Sequence, residues 1–207
     1  MIAIIDYGLG NIRAFANIYR NLKIPHVIAR KAQDLEGVDR IILPGVGAFD
    51  QAMERLNASG MRESLDHMVL RQKKPVIGIC VGMQILGRSS SEGLLPGLGW
   101  IDGDVRAMKE DGFHLRGLLP HMGWNQMRIN QPSPILEGLG DNPEFYFLHS
   151  YYFKCDRPAD VFAEVDYGGF FPCVVQAQNV FGVQCHPEKS HHNGVRLLKN
   201  FSELEPC

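Results

Sequence analysis

Hydrophobic and polar positions follow two different periods in the first 86 residues. Short apolar runs rich in β-branched residues are typical of buried strands, whereas apolar residues three and four positions apart indicate one face of a helix. By these criteria, strands are predicted at residues 2–6, 27–30, 40–43 and 75–79, and helices at residues 11–22, 49–56 and 61–71. Because strands and helices alternate, the sequence predicts a largely parallel sheet with helices on its faces.

The pattern changes after Leu86. Glycine, proline and short alternating runs dominate as far as Val175, with clear alternation at residues 145–153 and 161–165. Such runs, separated by turn residues, favour antiparallel strands. Helical spacing returns at residues 194–204, and no internal repeat or linker interrupts the chain. We therefore expect an α/β fold in one domain, residues 1–207, whose central parallel sheet is accompanied by an additional antiparallel β region.

Composition and charge narrow the classes of partner. The chain has 207 residues, 45% of them hydrophobic, which is enough for a substantial core. Its formal net charge is −2 without a block of like charges, so we expect neither nucleic acid nor a membrane as partner. The first apolar run is too short for a signal peptide, and five irregularly spaced cysteines lack a disulfide framework. We expect a cytoplasmic protein.

A cysteine lies between two glycines directly after the predicted strand at residues 75–79. The spacing Gly78-x-Cys80-x-Gly82 matches a nucleophile elbow with sulfur in place of oxygen. A helix beginning near Val81 would offer unpaired amides that favour a thiolate and a developing oxyanion. The alternative is an ordinary buried cysteine in a tight turn.

A cysteine nucleophile requires a base, and a histidine at the end of a later strand-like run is the best candidate. If that segment stays extended, His186 and Glu188 point to the same side, and the carboxylate can orient the imidazole. The alternative is an ordinary strand exit. Cys185, His191 and His192 lie nearby, but their spacing matches none of the usual zinc patterns, so we expect no metal.

These motifs resemble those of the class I (triad) glutamine amidotransferases. The resemblance rests on GICVGMQ at residues 78–84 and VQCHPE at residues 183–188. More narrowly, PGVG at residues 44–47, PHMGWN at 120–125 and YFLHSY at 146–151 are similar to the glutaminase subunits of imidazole glycerol phosphate synthase. The match extends over nearly the whole chain and implies the flavodoxin-like fold of that family.

The resemblance also implies roles for individual residues. Cys80 would attack the carboxamide of glutamine, His186 would protonate the departing ammonia, and Glu188 would orient His186 before water releases glutamate from the thioester. Val81 and Gly45 are implied as oxyanion donors. For Gly45, the resemblance implies a backbone flip near residues 45–46 when a partner subunit has bound its own substrate. The residues implied to hold the amino-acid portion of the substrate are Gly47, Gln84, Ser150 and Tyr151.

The chain departs from the family pattern at two positions and contains no recognisable cofactor motif. Val81 stands where the family usually has leucine, and Cys185 where it usually has phenylalanine. Both replacements are apolar, and we expect Cys185 to be a small core residue. There is no P-loop, and the Gly8-x-Gly10 segment lacks the third glycine of a dinucleotide fingerprint. We interpret that segment as a turn beside residues 44–47, and expect no cofactor.

A partner is expected because ammonia released into water would largely be protonated and unable to attack. The resemblance implies a (β/α)₈ cyclase of the HisF type, which forms a heterodimer with the glutaminase and uses its ammonia in histidine biosynthesis. Trp124 and Tyr146 match positions near the subunit interface of the family, although either could instead be a core aromatic residue.

Three other interpretations stay open at this point. Residues 88–93, 97–102 and 151–153 are also similar to paralogues that supply ammonia for amidino-sugars of surface polysaccharides. An elbow-cysteine peptidase or chaperone commonly has histidine after the cysteine, whereas this chain has Val81. The third alternative is a non-catalytic interaction module that has kept only the fold.

Overall fold

The computed structural model describes residues 1–110 and 119–205. Eleven strands lie in this part of the chain. In chain order they are β1 (Ile2–Ile5), β2 (His26–Ala29), β3 (Arg40–Gly45), β4 (Val76–Cys80), β5 (Gly103–Ala107), β6 (His121–Ile129), β7 (Glu144–His149), β8 (Tyr151–Cys155), β9 (Val161–Asp166), β10 (Phe170–Ala177) and β11 (Val180–Val183). The α-helices are α1 (Ile12–Asn21), α2 (Phe49–Ala58), α3 (Arg62–Asp66), α4 (Val81–Gln84) and α5 (His191–Ser202).

Nine of these strands form one mixed sheet in the order β2-β1-β3-β4-β11-β10-β9-β6-β7. The pairs from β2 to β11 are parallel, and the remaining pairs are antiparallel. Strands β5 and β8 form a separate two-stranded antiparallel sheet. The predicted combination of a parallel α/β sheet with an antiparallel β region is therefore confirmed.

Three predicted elements differ from the structure in kind or by three residues at their start. The alternating run at residues 145–153 is not one strand, because it breaks at Ser150 and its halves, β7 and β8, belong to different sheets. The predicted helix at residues 61–71 consists of α3 followed by a π-helix, His67–Arg71. The C-terminal helix begins at His191 rather than at residue 194.

Three of the parallel strands are buried on both faces. Every residue of β1, β4 and β11 is buried, which explains their continuous apolar composition. The carboxyl ends of β3 and β4 lie side by side, with Gly45 paired to Cys80 in the register. The fold therefore brings two of the predicted site segments together at one edge of the sheet.

Two further features are the capacity of the helices to span a membrane and the state of the cysteines. None of the helices in the described part of the chain has the length and apolarity that a membrane span requires. Cys80, Cys155, Cys173 and Cys185 are free thiols, and Cys207 lies outside the described residues.

Candidate functional site

Cys80 occupies a strained turn between β4 and α4. Its backbone angles are φ 56° and ψ −114°, in a region that side-chain-bearing residues rarely adopt. Strain of this kind persists only where the surrounding structure enforces it, and it is concentrated at functional sites. A turn from strand to helix with a left-handed residue at its apex is the geometry of a nucleophile elbow. The helix that follows has only four residues.

The flanking glycines allow three backbone segments to approach closely. A Cβ atom on Gly82 would lie 1.9 Å from the carbonyl oxygen of Leu43, and one on Gly78 would lie 2.4 Å from the carbonyl oxygen of Gly82. A Cβ atom on Gly45 would lie 2.4 Å from the amide nitrogen of Gly82. The close approach predicted from the spacing of the glycines is therefore confirmed, and it includes the end of β3.

His186 and Glu188 form a buried hydrogen-bonded pair. Nδ1 of His186 lies 3.0 Å from Oε1 of Glu188, and their side chains are 4% and 2% exposed. The condition set for this pairing, that the segment stays extended, is not met, since β11 ends at Val183 and a 3₁₀ turn covers Pro187–Lys189. The turn, and not strand alternation, brings the carboxylate to the imidazole.

Ser190 fixes the backbone beneath this pair. Its hydroxyl donates to the carbonyl oxygen of His186 at 2.6 Å and accepts the backbone N–H of Tyr146 at 3.0 Å. The backbone N–H of His186 donates in turn to the carbonyl oxygen of Tyr146 at 2.8 Å. These bonds join the His186 turn to β7. The sequence contained no recognised signal for this role of Ser190.

The pKa of His186 reflects opposing effects. Burial by itself lowers the pKa of an imidazole, but Cys80 and Glu188, through hydrogen bonds and negative charge, raise the pKa of His186 to about 10. The site therefore favours the protonated form of this imidazole.

The thiol of Cys80 is the cysteine sulfur at this site that faces a cavity. Cys80 is 4% exposed, and the side-chain amide of Gln184 donates to its sulfur at 3.7 Å. Cys173 and Cys185 are fully buried, and burial raises the pKa of both thiols well above its usual value. Cys185 therefore lies in the core as expected, and it is held in the unreactive thiol form.

A cavity of about 300 Å³ opens above Cys80 and His186. Its other lining residues are Val46, Gly47, Val81, Gln84, Glu92, Pro120, Leu148, His149, Ser150, Tyr151 and Lys189. All four residues predicted to hold the substrate thus line one cavity with the thiol and the imidazole. Gly45 and Glu188 are not among the lining residues, since Gly45 lies against α4 and Glu188 lies behind the imidazole.

Two charged residues of the cavity wall were missed by the sequence analysis. Glu92 is the one carboxylate among the described lining residues, and its Oε2 accepts the backbone N–H of Phe49 at 2.9 Å. Lys189 also lines the cavity, with Nζ 5.4 Å from the ring centroid of Tyr146. Neither belongs to a motif with recognisable chemistry, and the distance along the chain between Glu92 and Lys189 gave no signal that they share a wall.

Side chains of β6 and β7 form an apolar surface at the cavity mouth, here called the rim patch. It consists of the exposed residues Met122, Trp124 and Leu148 and the half-buried Tyr146. Met122 pairs with Leu148 and Trp124 with Tyr146 in the register, so all four side chains share one face. Met122 is 65% exposed, Trp124 48% and Leu148 37%. Trp124 is thus a surface residue, and it stacks on His191 with ring centroids 5.0 Å apart.

The histidines near the site are a possible source of metal ligands. Within residues 1–110 and 119–205, no group of three or more histidine, cysteine, aspartate or glutamate side chains is arranged to hold a metal ion. His191, one of the clustered histidines, packs on Trp124 instead.

Comparison with known proteins gives one consistent family. The model of the family "Glutamine amidotransferase class-I" matches residues 3–204. The imidazole glycerol phosphate synthase subunit HisH of Bdellovibrio bacteriovorus is 56% identical over 205 residues, which are 99% of this chain and 100% of that protein. The HisH subunit of Leptospira borgpetersenii is 48% identical over 204 residues, again 99% of this chain and 100% of the relative.

Solved structures show the same fold at much lower identity. A crystal structure of a glutamine amidotransferase superposes with a TM-score of 0.76 at 18% identity, covering 98% of this chain and 99% of that one. The structure of PurLQS from Thermotoga maritima includes a chain with a TM-score of 0.68 at 17% identity, covering 97% of this chain and 96% of that one.

Proposed function

Because the chain belongs to the class I glutamine amidotransferases and, within them, to the HisH subunits of imidazole glycerol phosphate synthase, we propose that it hydrolyses glutamine and delivers the ammonia to a synthase subunit in histidine biosynthesis. The observation that carries the chemical part of this proposal is the position of Cys80, at a strained elbow in one cavity with His186, which is hydrogen-bonded to Glu188.

The reaction begins with Cys80 as thiolate and His186 as imidazolium. The sulfur attacks the carboxamide carbon of glutamine, and the carbonyl π electrons move to oxygen. The imidazolium then gives its proton to the nitrogen, the carbon–nitrogen bond breaks, and ammonia leaves a thioester on Cys80. Neutral His186 removes a proton from water as the water attacks the thioester, and glutamate departs with regeneration of the thiolate. Glu188 stabilises the imidazolium whenever His186 is protonated.

The tetrahedral intermediates require donors for their oxyanion. The amide of Val81, at the first position of α4, is one candidate donor. The second comes from the end of β3, where Gly45 lies opposite Cys80 in the register. A peptide flip near residues 45–46 would turn an N–H towards the oxyanion, and two properties support it: Gly45 carries no side chain, and Gly47 has φ +89°.

The cavity wall suits the zwitterionic end of glutamine. Gly47, Gln84, Ser150 and Tyr151 line the cavity and are proposed to hold the amino-acid portion. Gln84 is itself anchored, since its side-chain amide donates to the carbonyl oxygen of Tyr151 at 3.2 Å. Glu92 supplies the negative charge that an α-ammonium group requires.

The rim patch supports docking of a synthase subunit. An exposed apolar surface of this kind marks an interaction site, and Leu148 belongs both to the patch and to the cavity wall. A partner seated there would cover the cavity mouth and keep the released ammonia away from water. We propose a (β/α)₈ cyclase of the HisF type as this partner, forming a heterodimer.

Replacement of Cys80 by alanine tests the proposal. The heterodimer with Cys80→Ala should lose glutamine-dependent synthesis and keep synthesis from added ammonium salts, because only hydrolysis needs the thiol. Cys155→Ala serves as control, since Cys155 lies on β8 outside the cavity lining. Loss of both activities, or retention of glutamine hydrolysis, would contradict the proposal. Parallel assays with a synthase that makes amidino-sugars would show whether the chain supplies ammonia to that synthase instead.

A further inference from the structure

Tyr7 connects the loop after β1 to the end of β3. Its hydroxyl donates to the carbonyl oxygen of Pro44 at 2.7 Å, across 37 positions of sequence. The side chain is buried, with the whole residue 5% exposed. The proposed reaction uses neither Tyr7 nor this bond, although Pro44 immediately precedes the peptide segment proposed to supply an oxyanion donor.

The bond compensates for the end of pairing between β1 and β3. The register joins Ile4 to Ile42 as its last pair, because β1 ends at Ile5. Pro44 and Gly45 continue to pair with β4 on their other side. The Pro44 carbonyl lies beyond the last residue pair of β1 and β3. On that side of β3, the hydroxyl of Tyr7 therefore holds it in place of a strand partner.

Pro44 is held by the same loop through a second contact. A Cβ atom on Gly10 would lie 2.7 Å from Cβ of Pro44, and Gly10 has φ +99°. On the other side, a Cβ atom on Gly82 would lie 3.1 Å from the carbonyl carbon of Pro44. The turn expected beside residues 44–47 thus exists, and it fixes Pro44 between two segments.

The chain is far less constrained from Val46 onwards, whereas Gly45 still packs against Gly82. Val46 is 38% exposed at the cavity, and glycines stand on both sides of it at positions 45 and 47. The boundary between fixed and adaptable backbone therefore falls between Pro44 and Val46.

We propose that Tyr7 is a positioning residue for the oxyanion hole. Its hydroxyl fixes the Pro44 carbonyl, so that β3 stays in place while the Gly45–Val46 peptide turns its N–H towards the substrate. This inference rests on the proposed glutaminase function. A donor must reach within about 3 Å of the developing oxyanion, so a shift in the preceding peptide misdirects it. Burial and the charge of Cys80 raise the pKa of Tyr7, which keeps the hydroxyl protonated as a donor.

Replacement of Tyr7 by phenylalanine removes the hydroxyl and keeps the ring. In the heterodimer, Tyr7→Phe should lower kcat for glutamine hydrolysis about tenfold, a fraction of the loss that follows removal of an oxyanion donor itself. The KM for glutamine should stay within about twofold, because the substrate-holding residues are untouched. Alkylation of Cys80 by iodoacetamide, followed by mass spectrometry, should keep its rate, since this displacement forms no oxyanion at a carbonyl.

Tyr19→Phe is the matched control. Tyr19 is also buried, and its hydroxyl donates to the carbonyl oxygen of Leu198 at 3.1 Å on α5, outside the cavity lining. Both variants lose one buried bond to a carbonyl and should lose similar thermal stability, but only Tyr7→Phe should lose kcat.

The outcomes separate this inference from the proposed function. Equal kcat for Tyr7→Phe and Tyr19→Phe, or a rise in KM without loss of kcat, would overturn the role of Tyr7 alone. A wild-type heterodimer without glutamine hydrolysis would overturn the proposed function and this inference with it.

Discussion

Nδ1 of His121 lies 2.9 Å from Nε2 of His149 across the paired strands β6 and β7. Nδ1 of His149 lies 2.8 Å from the carbonyl oxygen of Tyr151, which can only accept, so this nitrogen carries a proton. Nε2 of His149 therefore accepts from His121, and Nε2 of His121 accepts from the side-chain amide of Asn125 at 3.2 Å. Both rings are neutral in this chain of bonds, which ends at the wall of the cavity.

The two imidazoles predict a loss of stability in mild acid. Burial lowers the pKa of His121 to about 4 and that of His149 to about 3, whereas an unfolded histidine has a pKa near 6.5. The unfolded state thus binds more protons between these values, and the free energy of unfolding falls as the pH drops below about 6.5. Each imidazole contributes at most about 1.4 kcal/mol per pH unit in this window. Urea unfolding at pH 7, 6 and 5 measures the effect.

A double variant identifies the source of the acid sensitivity. The pair His121→Gln and His149→Gln should be less stable than wild type at pH 7 and lose less stability between pH 7 and pH 5. His192→Gln, at an exposed position, should keep the wild-type slope. An unchanged slope in the double variant would show that other groups cause the acid sensitivity.

The charge of Glu188 predicts an effect on the pH profile of glutamine hydrolysis. In Glu188→Gln a side-chain oxygen can still accept from Nδ1 of His186, but the carboxylate that raises the pKa of the imidazole is lost. We expect kcat to fall about 10²-fold, less than the loss of about 10⁴ seen when a triad loses its carboxylate and correct tautomer. The alkaline limb of the profile should shift to lower pH, because the imidazolium loses its proton more readily.

Glu164→Gln is the control for this measurement. Glu164 pairs with Arg128 at 2.7 Å on β9 and is outside the cavity lining. Its removal should leave the pH profile unchanged. A Glu188→Gln enzyme with the wild-type profile would argue that the carboxylate serves only packing.

The fold was predictable where a strand is defined by its own composition. Strands β1 and β4 are buried runs of apolar residues, and their predicted bounds differ from the structure by one residue at one or both ends. Strand β3 continues to Gly45, two residues beyond the prediction, because pairing with β4 carries on through Pro44. Proline and glycine indicate a turn locally, and only the neighbouring strand overrides that preference.

The site was predictable where residues stand in a motif. Cys80 and His186 were found by their local spacing, and both line the cavity. Tyr7, Glu92 and Ser190 were not found, because each makes a contact with a segment 37 to 44 positions away. Such contacts arise from the order of the strands, which a single sequence does not specify.

The rim patch predicts how the partner is held. Trp124 is large, half-exposed and fixed in orientation by its stacking on His191, which are the properties of an interface anchor. Trp124→Ala should weaken binding of the synthase subunit by about 30-fold or more, the loss expected for a contact worth about 2 kcal/mol. Isothermal titration calorimetry measures this affinity. Glutamine hydrolysis by the isolated chain should not change, because Trp124 does not line the cavity. Leu70→Ala is the control: Leu70 is 44% exposed and precedes β4, at the opposite edge of the sheet from Cys80. If both variants bind the partner with wild-type affinity, the synthase docks elsewhere.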